Sequence, residues 1–198
     1  MKELDMPLIE ALKKYGLKDS TRFHMPGHKG KKSVHIIEEL EANLFNWDVT
    51  EIPGLDDLHE PSGPIKWAQE KLARLYGADS SFFLVNGASS GVIAMIGACA
   101  QPSDEILISR ASHKSVLSAL ILTGAKPVYV MPEKDENLGV YTQVTPEAVA
   151  NALSQSPKVK AVFLTNPTYE GFCPDLESIS EIVHSQNKVL LVDEAQGP

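Results

Sequence analysis

The sequence predicts an α/β fold in which a mostly parallel sheet is flanked by helices. Three observations carry that reading. From residue 82 onward, short β-rich runs alternate with helical patterns, the rhythm of βαβ units. The runs are continuously apolar instead of alternating, as strands covered on both faces must be. The residues that follow most of the runs are small or polar, and in such a sheet the ligand site lies there, outside the carboxyl ends of the strands.

The elements follow in order. Leu8, Ile9, Leu12 and Tyr15 fall at helical spacing over 7–15, with Gly16 as the stop, and predict an N-terminal arm. Residues 20–63 are rich in Pro, Gly, His and Asp. Their densest parts, FHMPGHKG at 23–30 and GLDDLHEPSGP at 54–64, read as functional or interface loops, the usual reason for long irregular stretches in a compact protein. Pro64 opens a helix over 64–76, with Ile65, Ala68, Leu72 and Leu75 on one face, and Gly77 ends it. Strands are predicted at 82–85, 106–108, 128–130, 161–164 and 189–192. Helical patterns lie around 89–100, 113–123, 146–154 and 176–186.

Composition narrows the function classes. With 43% apolar and 22% charged residues, the 198-residue chain can bury a sizeable core, so disorder and fibrous folds are excluded. No stretch is apolar over a bilayer's length, and the charged N-terminus lacks a secretory core, which predicts a cytoplasmic protein. Cys99 and Cys173 are far apart and form no CxxC, so neither a disulfide framework nor a zinc ribbon is expected; both read as buried small hydrophobes. A net charge of −8 argues against nucleic acid and suits a small, cationic substrate.

Four strand-end segments carry the chemistry. The run at 82–85 is followed by Asn86-Gly87-Ala88-Ser89-Ser90-Gly91 at a helix start. Small residues there permit close backbone approach, and free N–H groups with two hydroxyls can cradle a phosphate. The same letters also make an ordinary glycine turn with a serine cap, and the GK[ST] of a P-loop is missing. After 106–108 comes Ser109-Arg110-Ala111-Ser112-His113-Lys114-Ser115, whose histidine can stack on a planar ring or cap a helix. After 161–164 comes Thr165-Asn166-Pro167-Thr168-Tyr169-Glu170-Gly171, and after 189–192 comes Asp193-Glu194-Ala195-Gln196-Gly197. A carboxylate at a strand end, held near a heterocyclic nitrogen, keeps that nitrogen protonated by direct charge pairing. Each segment alone is a weak signal; all four, in this order, are a strong one.

The set NGASSG, RASHKS, TNPTYEG and DEAQG, preceded by FHMPGHKG and GLDDLHEPSGPI, resembles the bacterial ornithine/lysine/arginine decarboxylases. These are pyridoxal-phosphate enzymes of the aspartate aminotransferase fold (fold type I), and the resemblance runs from about Phe23 onward. It implies that Ala88, Ser89 and Ser90 bind the cofactor phosphate and that His113 stacks on the pyridine ring. It further implies that Asp193 pairs with the pyridine nitrogen, that Ala195 packs on the opposite ring face and that Thr168 reaches the ring hydroxyl. His113 and Asp193 are the implied catalytic pair, and no metal is implied. Residues 1–63 become an N-terminal arm with active-site and interface loops, and 64–198 an incomplete pyridoxal-phosphate-binding large domain. The protonated ring serves as the electron sink for the carbanion that decarboxylation leaves. One departure is visible: the family's DEAHG has Gln196 where the histidine stands, and glutamine can hydrogen-bond but cannot carry the charge.

The resemblance also implies a longer enzyme. The lysine that holds the cofactor aldehyde sits, in that family, in an S-x-H-K motif downstream of DEAHG, and residues 1–198 contain none. The chain is therefore expected to be an N-terminal portion, inactive alone, of a homodimeric or higher homo-oligomeric decarboxylase. Two intervening strands of the implied fold would also lie further on, so the edges at 82–85 and 189–192 are expected to lack partners, causing self-association or a displaced 82–85. Rival readings remain. Ser112-His113-Lys114 imitates the lysine motif, but its order along the chain assigns it to ring stacking. DEAQ resembles a Walker B box, but the P-loop is missing. His24, His28, His35 and His59 invite a metal reading without matched carboxylate or cysteine spacing. A non-catalytic remnant or interaction module, and another fold type I enzyme such as an aminotransferase or aldolase, are the functional alternatives.

Overall fold

A computed structural model describes residues 50–197. The predicted arm at 7–15, the FHMPGHKG segment, His24, His28 and His35 lie outside the described residues. The chain divides into two compact units, Met1–Ser81 and Phe82–Pro198.

In the first unit, helix α1 spans Pro64–Tyr76, with proline in its first turn, where the missing N–H costs nothing. Gly77 ends it at φ 65°, the left-handed cap that glycine adopts without a Cβ penalty. Its buried stripe is rotated from the expected one. Gln69 and Ala73 are buried with Ile65 and Leu72 partly covered, whereas Leu75 is 80% exposed and Ala68 is exposed. Ile65, Gln69, Leu72 and Ala73 still fall at i, i+4, i+7 and i+8, and a count of apolar letters alone overlooks the glutamine in that stripe.

The loop before α1 is organised by Asp56. Its Oδ1 accepts the amides of Asp57 (3.0 Å) and Ser62 (2.8 Å), and its Oδ2 those of Gly63 (2.8 Å), Ile65 (3.0 Å) and Lys66 (3.3 Å). These include amides of the first helical turn, which have no intrahelical partner. The Ser62 amide, followed by those of Gly63, Asp57 and Lys66, holds the Asp56 carboxyl well below the usual carboxylate range against a smaller desolvation effect.

The second unit contains α2 (Ala88–Cys99), β1 (Glu105–Ser109), α3 (Ser115–Thr123), β2 (Lys126–Val130), β3 (Lys134–Asp135), β4 (Val140–Tyr141), α4 (Pro146–Gln155), β5 (Val159–Thr165), α5 (Leu176–Ser185) and β6 (Val189–Asp193). Four strands form a parallel sheet in the order β2-β1-β5-β6. Consecutive β-α-β connections of this kind place helices on the sheet faces. Helices α2 and α3 bring Val92, Ile96, Val116 and Ala119 onto Ile106, Ile108, Phe163 and Leu191. Helices α4 and α5 bring Val149, Leu153, Ile179 and Val183 onto Leu107, Val162 and Leu164. Neighbours along β1 and β5 thus point into opposite cores, which is why these strands are apolar without interruption.

Two differences from expectation concern strands. Residues 82–85 form no strand, and Phe82, Phe83, Leu84 and Val85 are 75%, 43%, 51% and 61% exposed. Strand composition needs a ladder partner to become a strand, and the run has none among the described residues. The antiparallel β3–β4 pair was not predicted. Its signal is the turn between them: Asp135 Oδ1 accepts the amides of Asn137 (2.8 Å) and Leu138 (3.0 Å), and Gly139 takes φ 68°. The cysteines also depart from the expected burial. Cys99 is partly covered, which pushes its thiol pKa up by desolvation, and Cys173 is exposed in the loop that follows β5. Among the described residues, no helix is long and apolar enough to cross a membrane.

Candidate functional site

A parallel sheet delivers all its carboxyl ends to one edge. Here Val130, Ser109, Thr165 and Asp193 end the four strands, with Ser109 in register with Val130 and Thr165 with Asp193. Asp193 is only 7% exposed. Leu191, two residues earlier and so on the same strand face, belongs to the core beneath α2 and α3. The Asp193 carboxylate therefore lies on the α2 side of the sheet, and its Oδ1 accepts the Ala195 amide at 3.1 Å. Ala195 and Gln196 are exposed in the turn that follows, which the Gly197 amide closes onto Glu194 O at 2.8 Å.

Helix α2 starts at Ala88 after Asn86 at φ 66° and Gly87 at φ 71°. A Cβ on Gly87 would meet no atom within 4 Å, so the glycine is there for its backbone angle and leaves open space beside the helix start. The short connection from α2 into β1 returns the helix along the sheet, which sets its N-terminus towards the strand carboxyl ends. Ala88 and Ser89 are exposed there. Ser90 differs: its hydroxyl donates to Val85 O at 2.6 Å and Gly87 O at 2.8 Å, so it shapes the loop from within. Ala88 and Ser89 are thus exposed at the helix start, while the Ser90 side chain is engaged within the loop.

His113 precedes α3 and is exposed as a ring. Its Nδ1 accepts the Ser115 amide at 3.2 Å and lies 2.9 Å from Ser115 Oγ. An Nδ1 that accepts from an amide is unprotonated, which assigns the proton of the neutral ring to Nε2. The histidine thereby caps its own helix while its residue stays exposed. Lys114 is exposed at the N-cap position of the same helix.

Thr168 lies in the turn after β5. Its Oγ1 accepts the Phe172 amide at 3.2 Å, and its amide donates to Phe172 O at 2.8 Å, so the hydroxyl proton is left to serve another acceptor. Below this turn, Ser109, Thr142, Thr165 and Thr168 help line a cavity of about 10 Å³, room for one water. The buried side-chain polar atoms without a partner among the described residues are Ser112 Oγ, Thr165 Oγ1 and Asn166 Oδ1, and all three follow or end a strand at this edge. Unpaired buried polar atoms call for a water or a ligand, and their clustering marks this edge as the place where one is expected.

Neither Asn166 nor Glu194 stands out by a role of its own in the sequence. Asn166 Nδ2 donates to Glu194 Oε1 at 3.1 Å, and the Asn166 amide donates to Asp193 O at 2.9 Å, which ties the loop after β5 to the one after β6. Only the pairing of the two strands makes these residues neighbours, so no local pattern could have found them. Among the described residues, no group of three or more His, Cys, Asp and Glu side chains could hold a metal ion.

The family model for the Orn/Lys/Arg decarboxylase major domain matches residues 6–198. An arginine decarboxylase of Bacillus subtilis is 39% identical over 199 residues, covering 100% of this chain and 41% of that protein. The structure of lysine decarboxylase A from Pseudomonas aeruginosa superposes with a TM-score of 0.65 at 30% identity, covering 95% of this chain and 28% of that one. A Thermus thermophilus aspartate aminotransferase shares the fold, with a TM-score of 0.60 at 19% identity over 98% of this chain and 51% of that one. The chain thus spans less than half the length of the curated relative.

Proposed function

We propose, from the premise that the chain belongs to the Orn/Lys/Arg decarboxylase family, that it supplies the cofactor-binding part of a pyridoxal-phosphate-dependent enzyme. That enzyme decarboxylates a basic amino acid, lysine, ornithine or arginine. The observation that carries the reading is the shared sheet edge: a carboxylate only 7% exposed at Asp193, beside a helix start whose preceding Gly87 leaves open space. An acidic group and an anion cradle are what a phosphorylated pyridine requires at its two ends. The residues present fit such a group, and the unpaired Thr165 and Asn166 oxygens at the same edge fit a polar occupant.

When bound, pyridoxal phosphate supplies a protonated ring that withdraws electrons from the substrate's α-carbon. The residues of this chain hold it ready for that task. The amides of Ala88 and Ser89 would hold the phosphate at the positive end of the α2 dipole, with the Ser90 hydroxyl fixing the loop from inside. Asp193 would keep the ring nitrogen protonated, because a carboxylate paired with it favours the charged form. His113 presents a ring face for stacking, held by its bonds to Ser115, and Ala195 is small enough to close the opposite face. The Thr168 hydroxyl proton serves the ring hydroxyl. A basic substrate suits a chain of net charge −8, and a homodimeric or higher cytoplasmic assembly completes the reading.

Carbon dioxide release by the full-length enzyme with lysine, ornithine and arginine tests it. Release with one of the three is expected. Amino transfer or aldol cleavage in its place would keep the cofactor and overturn the reaction.

A further inference from the structure

A side chain with no role above joins the two loops that frame Asp193. Glu194 is exposed, yet its Oε1 receives Asn166 Nδ2 at 3.1 Å across 28 residues of sequence. Beside that bond, the Asn166 amide reaches Asp193 O at 2.9 Å. An asparagine side chain has one donor end and one acceptor end of nearly equal shape, whereas a carboxylate only accepts. Glu194 therefore decides which end faces it, since the flipped amide would set two oxygens together. With Nδ2 engaged, Asn166 Oδ1 is buried and without a partner among the described residues, as is Thr165 Oγ1 one residue earlier. A buried carbonyl oxygen in that state is stabilised only when a donor arrives.

We infer that Glu194 is a positioning residue of the strand-end site: it locks the Asn166 amide in one orientation, so that Asn166 Oδ1 is offered as an acceptor to a donor group of the site's occupant. The identity of that occupant rests on the cofactor reading, but the link itself does not. Glu194 touches no reacting atom in this scheme and acts through Asn166 and the strand end that carries Asp193.

Four variants separate the possibilities. E194A removes the acceptor, and E194Q retains an amide oxygen that can accept. N166D sets two carboxylates against each other, and the double variant N166D/E194Q restores a donor and an acceptor with their places exchanged. For each, amide exchange at Asn166, the dissociation constant of pyridoxal phosphate from an absorbance titration, and the melting temperature are measured. E194A should speed exchange at Asn166 and weaken cofactor binding by about five-fold, as loss of one charge-assisted hydrogen bond allows, with little change in melting temperature. E194Q should stay within about two-fold of the unmutated protein, and the double variant should recover most of what N166D loses. The inference is overturned if E194A matches the unmutated protein in both exchange and binding, if E194Q is as impaired as E194A, or if the double variant is no better than N166D. Should the unmutated full-length enzyme take up no pyridoxal phosphate, the cofactor reading falls, and exchange across the four variants still decides whether the link orients Asn166.

Discussion

At the scale of single residues, the proposed function distinguishes groups that would meet the occupant from groups that hold them, and it places Asp193 among the first. Its carboxylate makes one described hydrogen bond, to the Ala195 amide, which an asparagine oxygen can also accept. Asp193→Asn should therefore leave the melting temperature nearly unchanged and still permit cofactor uptake, while turnover of the full-length enzyme falls on the order of 10²-fold or more, because the ring nitrogen loses its charged partner. Steady-state kinetics beside a thermal melt checks this; near-normal turnover would remove Asp193 from its role. The position of Asp193 was legible in the sequence because an acid directly after an apolar run must sit at a strand end. For Ser90 the sequence suggests a phosphate ligand through the family resemblance, but not the bonds its hydroxyl makes within the loop. Its two bonds to Val85 and Gly87 carbonyls depend on Asn86 and Gly87 both adopting positive φ, which no letter count supplies. Glu194 and Asn166 escaped for a related reason, since their contact is a product of strand pairing.

At the scale of elements, helices were read well because each carries its own period and punctuation. Pro64 and Gly77 bracket α1, and Pro146 follows Thr145, whose Oγ1 caps α4 by accepting the Ala148 amide at 3.2 Å. Thr145→Ala should cost about 1 kcal/mol in a denaturant melt, the usual value of such a cap, with Thr145→Asp nearly neutral. The GLDDLHEP segment, whose acids and turn formers suggest a functional or interface loop, also has a structural part: Asp56 clasps the entry to α1. Its folded carboxyl titrates below the ordinary value of ~4, so the clasp is complete above that pH and is lost only as the pH falls through the lower folded value. Exchange protection of the Ser62 and Gly63 amides should thus persist through pH ~4 and disappear only in stronger acid. In Asp56→Asn it should be reduced at every pH, because the amide's NH₂ end meets backbone donors. Asparagine tolerates the φ of 79° at this position, so strain is not the cause of that loss. A midpoint near the ordinary carboxylate value in the unmutated protein would show that the five amides do not act on Asp56 as described.

At the scale of the whole molecule, the two edges of the sheet contrast. Strand β2 is built as an edge: it carries Lys126 and Pro127, and Arg110 lies 5.3 Å from the centre of the Tyr129 ring, so charge and a missing donor discourage further pairing. Among the described residues strand β6 occupies the other edge, yet its sequence, Val-Leu-Leu-Val-Asp, is that of a strand paired on both sides, with neither lysine nor proline within it. The apolar run 82–85 is likewise exposed, with Phe82 at 75% and Val85 at 61%. This is also why the sheet was only partly legible: composition marks both runs as interior strands, and pairing is a property of neighbours that composition does not contain. An unprotected edge together with an exposed apolar run favours association between chains. The 198-residue chain is accordingly expected to self-associate in a concentration-dependent manner by sedimentation velocity. Phe82→Ser combined with Val189→Lys should shift it towards monomer, since one removes exposed ring surface and the other places a charge at the start of the open edge, where Val189 is 47% exposed. Hydrogen exchange locates the effect, because the β6 amides should be better protected in the associated form than in the monomer. A chain that stays monomeric at high concentration with its β6 amides strongly protected would mean that this edge is already satisfied, and the argument from its composition would fail.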